Sequence, residues 1–216
     1  VSISDDGNII AIGAPFFYTG KVKIYEWNGQ SWILKGDYIY GDSISGNSFG
    51  TSVSLSSSGN SIVIGDPYYD IVSGATHYTD AGSATVYDWN VNNQSWQKRG
   101  NSIWGYTGHV RFGSFVSMSN DGNTIAVSND GSSSSDVRVY DWNGTNWISR
   151  SGIYSSTINN SLGFSVSINN SSNTIAVGTP NLGYSSVYEW NGATWIQKGN
   201  HIYGTGTGDK SGFSVS

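Results

Sequence analysis

IYEWNGQSW, at residues 24–32, is written again as VYDWNVNNQSW at 86–96, VYDWNGTNW at 139–147 and VYEWNGATW at 187–195. A catalytic motif is needed once per site. A stretch repeated four times at intervals of about fifty residues reads as architecture. Working outward, each copy is preceded by an alternating run (VSIS, VSLS, VSMS, VSIN) and a largely apolar run (NIIAIGAP, NSIVIGDP, NTIAVSND, NTIAVGTP). Each is followed by an Ile-aromatic pair: YIY, SIW, GIY or HIY. The copies start at Val1, Val53, Val116 and Val166, and Val215 opens another.

Every piece has strand character. Val, Ile, Tyr, Trp and Thr dominate runs of four to eight residues, and no window holds a helical period. DDGN, SSGN and NDGN join the first two pieces, and NGQ, NGT and NGA split the Trp motif. These are Gly-containing hairpin turns, because glycine accepts positive φ. Each repeat is therefore expected to be a four-stranded antiparallel meander. Tandem units of this size and content predict an all-β chain, a β-propeller of four-stranded antiparallel blades with four blades in this segment. The repeats run 1–52, 53–115, 116–165 and 166–214, with 215–216 beginning a further one. Since the chain opens inside a repeat and SGFSVS at 211–216 returns to the starting phase, it is expected to be a piece of a longer protein that continues past Ser216.

Composition narrows the function. Charged residues are 12% of the chain, and the net charge of −5 comes with only ten Lys and Arg. That excludes a basic nucleic-acid surface and a polybasic membrane patch. Ser and Thr total 52 and Asn 21, so hydroxyls and amides must wet the surface. The absence of cysteine removes disulfides, thiol nucleophiles and thiolate metal sites. No apolar run reaches the roughly 18 residues of a transmembrane helix.

The first tryptophans of the motif, Trp27, Trp89, Trp142 and Trp190, are expected to form the repeat core between blades. A buried aromatic removes roughly 150–250 Å² from water. The second set, Trp32, Trp96, Trp147 and Trp195, lies next to a turn, and Trp104 falls where other copies have Tyr40, Tyr154 and Tyr203. These five are the possible ligand-contact aromatics.

SFGTSVSLS (48–56), AIGAP (11–15) and RFGSFVSMS (111–119), with weaker copies LGFSVS, SGFSVS, IGDP and VGTP, carry a resemblance. The chain resembles the FG-GAP repeat, the blade of the integrin α-subunit type of β-propeller. The resemblance covers essentially the whole chain and implies extracellular binding or scaffold roles. Family propellers usually have seven blades, and four are visible here. The family's calcium loop is absent. Asp66, Asp70 and Asp80 are the remaining calcium candidates, scattered over about fifteen residues where a hard cation wants six to eight close oxygens. No other cofactor is expected.

The search for chemistry finds little. His77, His109 and His201 lie in three different repeats with no second His at metal-ligand spacing. Glu26, Asp88, Asp141 and Glu189 recur at one place in every repeat, which suits a blade-to-blade hydrogen-bond acceptor better than a catalyst. The insert YYDIVSGATHYTD makes the second repeat longest and reads as a Tyr-rich loop. Sequons stand at Asn93, Asn143, Asn159, Asn169 and Asn170, about as many as chance gives in this composition. The expected function is a non-enzymatic extracellular scaffold or adhesion module at the cell surface, within a larger surface or filamentous assembly. The alternative is a lectin-like glycan-binding propeller. Expected partners are other proteins, copies of itself or glycans, with no nucleic acid and no membrane insertion.

Overall fold

The computed structural model describes residues 1–42, 48–130, 135–154, 161–206 and 208–216. They are all-β, with no helix, and form four antiparallel sheets that follow one another along the chain in a propeller-like arrangement. The first sheet is ordered β1 (Ser2–Ile3), β2 (Ile9–Ala14), β3 (Lys21–Trp27) and β4 (Trp32–Leu34), with β5 (Ile39–Tyr40) also pairing β3. The second holds β6 (Ser52–Leu55), β7 (Ser61–Asp66), β10 (Ser83–Asn90) and β11 (Ser95–Lys98), and β12 (Ile103–Trp104) also pairs β10. The third runs β13 (Phe112–Met118), β14 (Thr124–Asn129), β15 (Asp136–Trp142) and β16 (Trp147–Tyr154). The fourth runs β17 (Ser165–Ile168), β18 (Thr174–Thr179), β19 (Tyr184–Trp190) and β20 (Trp195–Gln197), with β21 (Ile202–Tyr203) on β19.

The insert of the second repeat, read from the sequence as a loop, forms a small hairpin of its own, β8 (Ile71–Ser73) and β9 (Thr76–Tyr78). Its β-branched residues favour extended backbone, and Gly74 turns the chain at φ 61°.

The turns form as their residues dictate. In the first, third and fourth Trp hairpins, Asn28, Asn143 and Asn191 each accept two backbone N–H bonds through Oδ1, and Gly29, Gly144 and Gly192 follow at φ 95–98°. The two tryptophans of each motif are then directly opposite across the ladder, with ring centroids 5.3–5.6 Å apart.

Apolar residues pack in three layers, each between consecutive sheets. The period-2 alternation of a strand makes this possible. On β7, Ile62 and Ile64 face the first sheet and Val63 faces the third. On β14, Ile125 and Val127 join the layer with the second sheet, and Ala126 the layer with the fourth. The inner strands of the two middle sheets are thus buried on both faces. In the outer sheets only one face is covered. Ile9 and Ala11 are buried while Ile10 and Ile12 are not, and Ile175 and Val177 are buried while Thr174 and Ala176 are only partly so. Among the described residues no apolar layer joins the fourth sheet to the first.

Candidate functional site

A polar feature lies where the segment that joins the first and second sheets meets the second sheet. A cavity of about 200 Å³ is lined by Asp42 and Phe49, from the segment joining these sheets, and by second-sheet residues including Asp66, Tyr69, Ser83, Thr85, Tyr87, Lys98, Ser102 and Trp104. Asp66 ends β7, the innermost strand but one, and is 1% exposed. Its Oδ1 accepts hydrogen bonds from the Ser48 hydroxyl (2.9 Å) and the Ser48 backbone N–H (3.2 Å). Burial pushes its carboxyl up to about 6, against the two Ser48 donors that pull it down, and Asp42 adds to the rise. Burial likewise pushes the Tyr87 phenol up. Lys98 is ion-paired with Asp42 across the mouth, and the hydroxyls of Thr85 and Ser102 lie 2.8 Å apart.

Asp66 breaks the repeat. The same slot holds Ala14 in the first sheet, Asn129 in the third and Thr179 in the fourth. Asn129 is used inside its own sheet, where its side chain exchanges hydrogen bonds with Asp136. Only at the second sheet does the slot carry a carboxyl, and there it lines a cavity bearing a second carboxylate, Asp42, and the ammonium of Lys98. A carboxylic acid with its proton balanced near neutral pH, among hydroxyls, can donate or accept a proton on a bound molecule.

The candidates named from sequence fall in different places. Asp66, Asp70 and Asp80 do not converge as a calcium site. Asp70 accepts the Asp80 backbone N–H (2.8 Å) and faces His77 at 3.5 Å, Asp80 faces His109 at 3.6 Å, and Asp66 is turned inward to Ser48. Among the described residues no group of three His, Cys, Asp or Glu is placed to hold a metal ion. His201 is bound to the Ser186 hydroxyl at 2.6 Å and packs on Tyr184.

Glu26, Asp88, Asp141 and Glu189 do not reach across to the neighbouring sheet. Each faces a basic residue of its own sheet: Lys35 (3.3 Å), Arg99 (3.6 Å), Arg150 (2.5 Å) and Lys198 (3.3 Å). Three of the basic partners make the joint to the next sheet: Lys35 Nζ lies 5.2 Å from the Trp89 ring, and the guanidinium groups of Arg99 and Arg150 lie 4.9 Å from Trp142 and 5.5 Å from Trp190.

The tryptophans are not a deep core. Trp89, Trp142 and Trp190 are half-buried at the outer rim, and Trp27 is exposed. Of the possible ligand-contact rings, Trp195 is buried and unavailable. Trp96 and Trp147 are held by indole N–H bonds of 2.9 Å to the carbonyls of Lys35 and Arg99 in the preceding sheet. Trp32 is exposed. Trp104, 53% exposed, is the member of that set that lines the cavity. Asn93, Asn143, Asn169 and Asn170 are exposed, and Asn159 lies outside the described residues.

No protein-family model matches the chain. No curated protein matches it either. Among solved structures, it is similar to "a putative 6-phosphogluconolactonase from Bacteroides uniformis ATCC 8492" with a TM-score of 0.63 at 13% identity, over 93% of this chain and 53% of that one. It is similar to Kuenenia stuttgartiensis hydrazine synthase with a TM-score of 0.59 at 15% identity, over 94% of this chain and 48% of that one. The chain spans about half the length of the solved structures it matches. At this identity the likeness carries the fold alone. It does correct one expectation. Both similar structures are named for enzymes, so the propeller-like arrangement does not support the reading as a non-enzymatic scaffold or adhesion module.

Proposed function

We propose that the four sheets are consecutive blades of a β-propeller of FG-GAP type, and that the cavity at Asp66 is a hydrolytic site for a small hydroxyl-bearing molecule. Asp66 is the general acid and Asp42 the general base. The observation that carries this reading is the single carboxyl that breaks the repeat, buried in a cavity with a second carboxylate and shifted toward neutral pH. Two carboxyl groups held in unlike environments divide acid and base roles between them. Protonated Asp66 gives its proton to the departing oxygen of an ester, lactone or acetal. Water forms the new C–O bond, and its proton passes to the Asp42 carboxylate at the mouth. Ser83, Thr85 and Ser102 supply hydroxyls to a polar substrate, and the face of Trp104 covers its apolar side. Lactone opening, the activity for which one of the similar structures is named, belongs to this class of reaction.

The test is a panel of lactones, esters and glycosides offered to the purified chain and to Asp66→Asn across the pH range around 6. Turnover with a profile that breaks near pH 6, lost in Asp66→Asn, is the expected result. No turnover by the unaltered chain, or an undiminished rate in Asp66→Asn, would set the reading aside.

A further inference from the structure

One place recurs on β10, β15 and β19, and the rungs of the sheets fix it. Ser83 faces Asp66 in the second sheet, Asp136 faces Asn129 in the third and Tyr184 faces Thr179 in the fourth. Two residues on come Thr85, Arg138 and Ser186. In the third sheet the place is filled from within. The Arg138 guanidinium lies 3.9 Å from the Tyr106 ring and 3.4 Å from Asp136 Oδ2, which also accepts the Tyr106 hydroxyl at 3.2 Å. The cation balances a carboxylate that is 3% exposed. In the fourth sheet a basic ring does the filling. The His201 imidazole packs on Tyr184 with centroids 4.1 Å apart, and its Nδ1 meets the Ser186 hydroxyl at 2.6 Å.

In the second sheet the filling is missing. Ser83 stands where Asp136 does and Thr85 where Arg138 does, and Ser102 stands beside Thr85 as His201 stands beside Ser186. These three small side chains line the cavity of about 200 Å³. The carboxyl sits across the rung, on the strand of Asp66 instead of that of Asp136, and among the described residues no cation accompanies it. Asp66 Oδ1 holds both Ser48 donors, and among the described residues nothing donates to Oδ2. Lys98, the basic side chain of the cavity, is paired with Asp42 at the mouth. Trp104 and Tyr69 line the cavity as well, and an aromatic ring beside a carboxylate is what holds Arg138 in the third sheet.

We infer that this cavity binds a small organic cation, a guanidinium or ammonium group, in the place that Arg138 and His201 fill in the other sheets. The group pairs with Asp66 and lies against Trp104. Burial without a counter-charge is what keeps the proton on Asp66 until about pH 6, so an incoming cation and that proton exclude each other. Binding needs no turnover and stands apart from hydrolysis. One consequence does rest on the hydrolytic reading. An Asp66 held ionised by a cation has no proton for a departing oxygen, so the bound cation inhibits that reaction.

An NMR titration with methylguanidinium, and with its neutral isostere N-methylurea, tests this. It follows the Trp104 indole N–H, assigned through Trp104→Phe. The unaltered chain is expected to give a saturable shift with methylguanidinium above pH 7 and none with N-methylurea. Near pH 5 the affinity is expected to fall about tenfold, because a carboxyl that titrates at about 6 keeps its proton there in roughly ten molecules of eleven. Asp66→Asn is expected to lose at least about tenfold in affinity, and the pH dependence with it. Thr85→Arg supplies the cation from within, as the third sheet does. It is expected to keep the fold by circular dichroism and to bind no methylguanidinium; Asp66→Asn, which keeps the shape of the side chain, decides the matter should Thr85→Arg not fold. No shift in the unaltered chain at concentrations that leave it folded overturns the inference. So does an equal response to N-methylurea, or undiminished affinity in Asp66→Asn. A chain that binds the cation and hydrolyses no lactone, ester or glycoside keeps this inference and loses the hydrolytic one, and a chain that hydrolyses them and ignores the cation does the reverse.

Discussion

Replacing Asp66 with Asn removes a titration that the fold disfavours. The carboxyl moves from an ordinary 3.8 to about 6 in the folded chain, mainly because burial opposes its charge. A folded-state value above the unfolded one means that the native state holds the proton more tightly. The stabilising contribution is complete below 3.8, declines between the two values and is gone once pH has passed about 6. A shift of about two units at roughly 1.4 kcal/mol per unit amounts to about 3 kcal/mol. At 1% exposure there is little solvent to screen it. Asn keeps an oxygen to accept the Ser48 hydroxyl and N–H, and has no charge to bury. Urea unfolding at a series of pH values from about 3 to about 8 reads the effect. The unaltered chain should lose about 3 kcal/mol relative to Asp66→Asn across that range, with the midpoint of the loss between the two pKa values. Stability curves that run parallel throughout would refute the argument, because they would mean that Asp66 ionises in the fold as it does in the open chain.

Other outcomes follow from the joints. Gly100→Ala forces a Cβ to 2.7 Å from Trp142 at φ 74° and should cost about 2–4 kcal/mol in thermal unfolding, against about 1 kcal/mol for Gly199→Ala, where only the backbone angle matters. Trp147→Phe deprives the Arg99 carbonyl of its indole donor and should cost about 1–3 kcal/mol, whereas Trp32→Phe at an exposed position should cost less than about 0.5 kcal/mol; equal losses would refute the assignment of the joint. Asn143→Ala removes an acceptor for the Thr145 and Asn146 N–H groups and should lower stability by about 1 kcal/mol, read as a fall in the urea midpoint.

Much of the fold was legible because it is local. Val and Ile alternating with small residues, Asn-Gly at the hairpin tips and paired tryptophans each decide a few residues of backbone, and repetition confirms the reading four times. Strand interruptions were also written in the sequence. Gly36, Gly100 and Gly199 take φ of 73–74° and break the outer edge into two short strands, and the third repeat, with Ser151 in that place, keeps β16 continuous through a bulge. The depth of the tryptophans was not legible, since an indole beside a turn is equally at home at a rim or in a core, and only the packing of neighbouring sheets decides. The cleft was hidden for a different reason. Asp42 and Lys98 are 56 residues apart, and nothing local brings them together. The one signal for Asp66 is a comparison across the copies of IGDP, where Ala, Asn and Thr hold the slot elsewhere. Periodicity draws attention to what repeats, and the site lies in what does not.

The central claim is a buried carboxyl at Asp66 that lines a polar cavity and titrates well above the ordinary carboxylate range. A ¹³C NMR titration of carboxyl-labelled aspartate, assigned through Asp66→Asn and repeated with a hydrolysable lactone's open-chain product at saturating concentration, measures it directly. The account predicts one carboxyl that titrates near 6 in the free chain and moves when the product is added. An Asp66 signal that titrates in the ordinary carboxylate range, and that the product leaves unmoved, would contradict it.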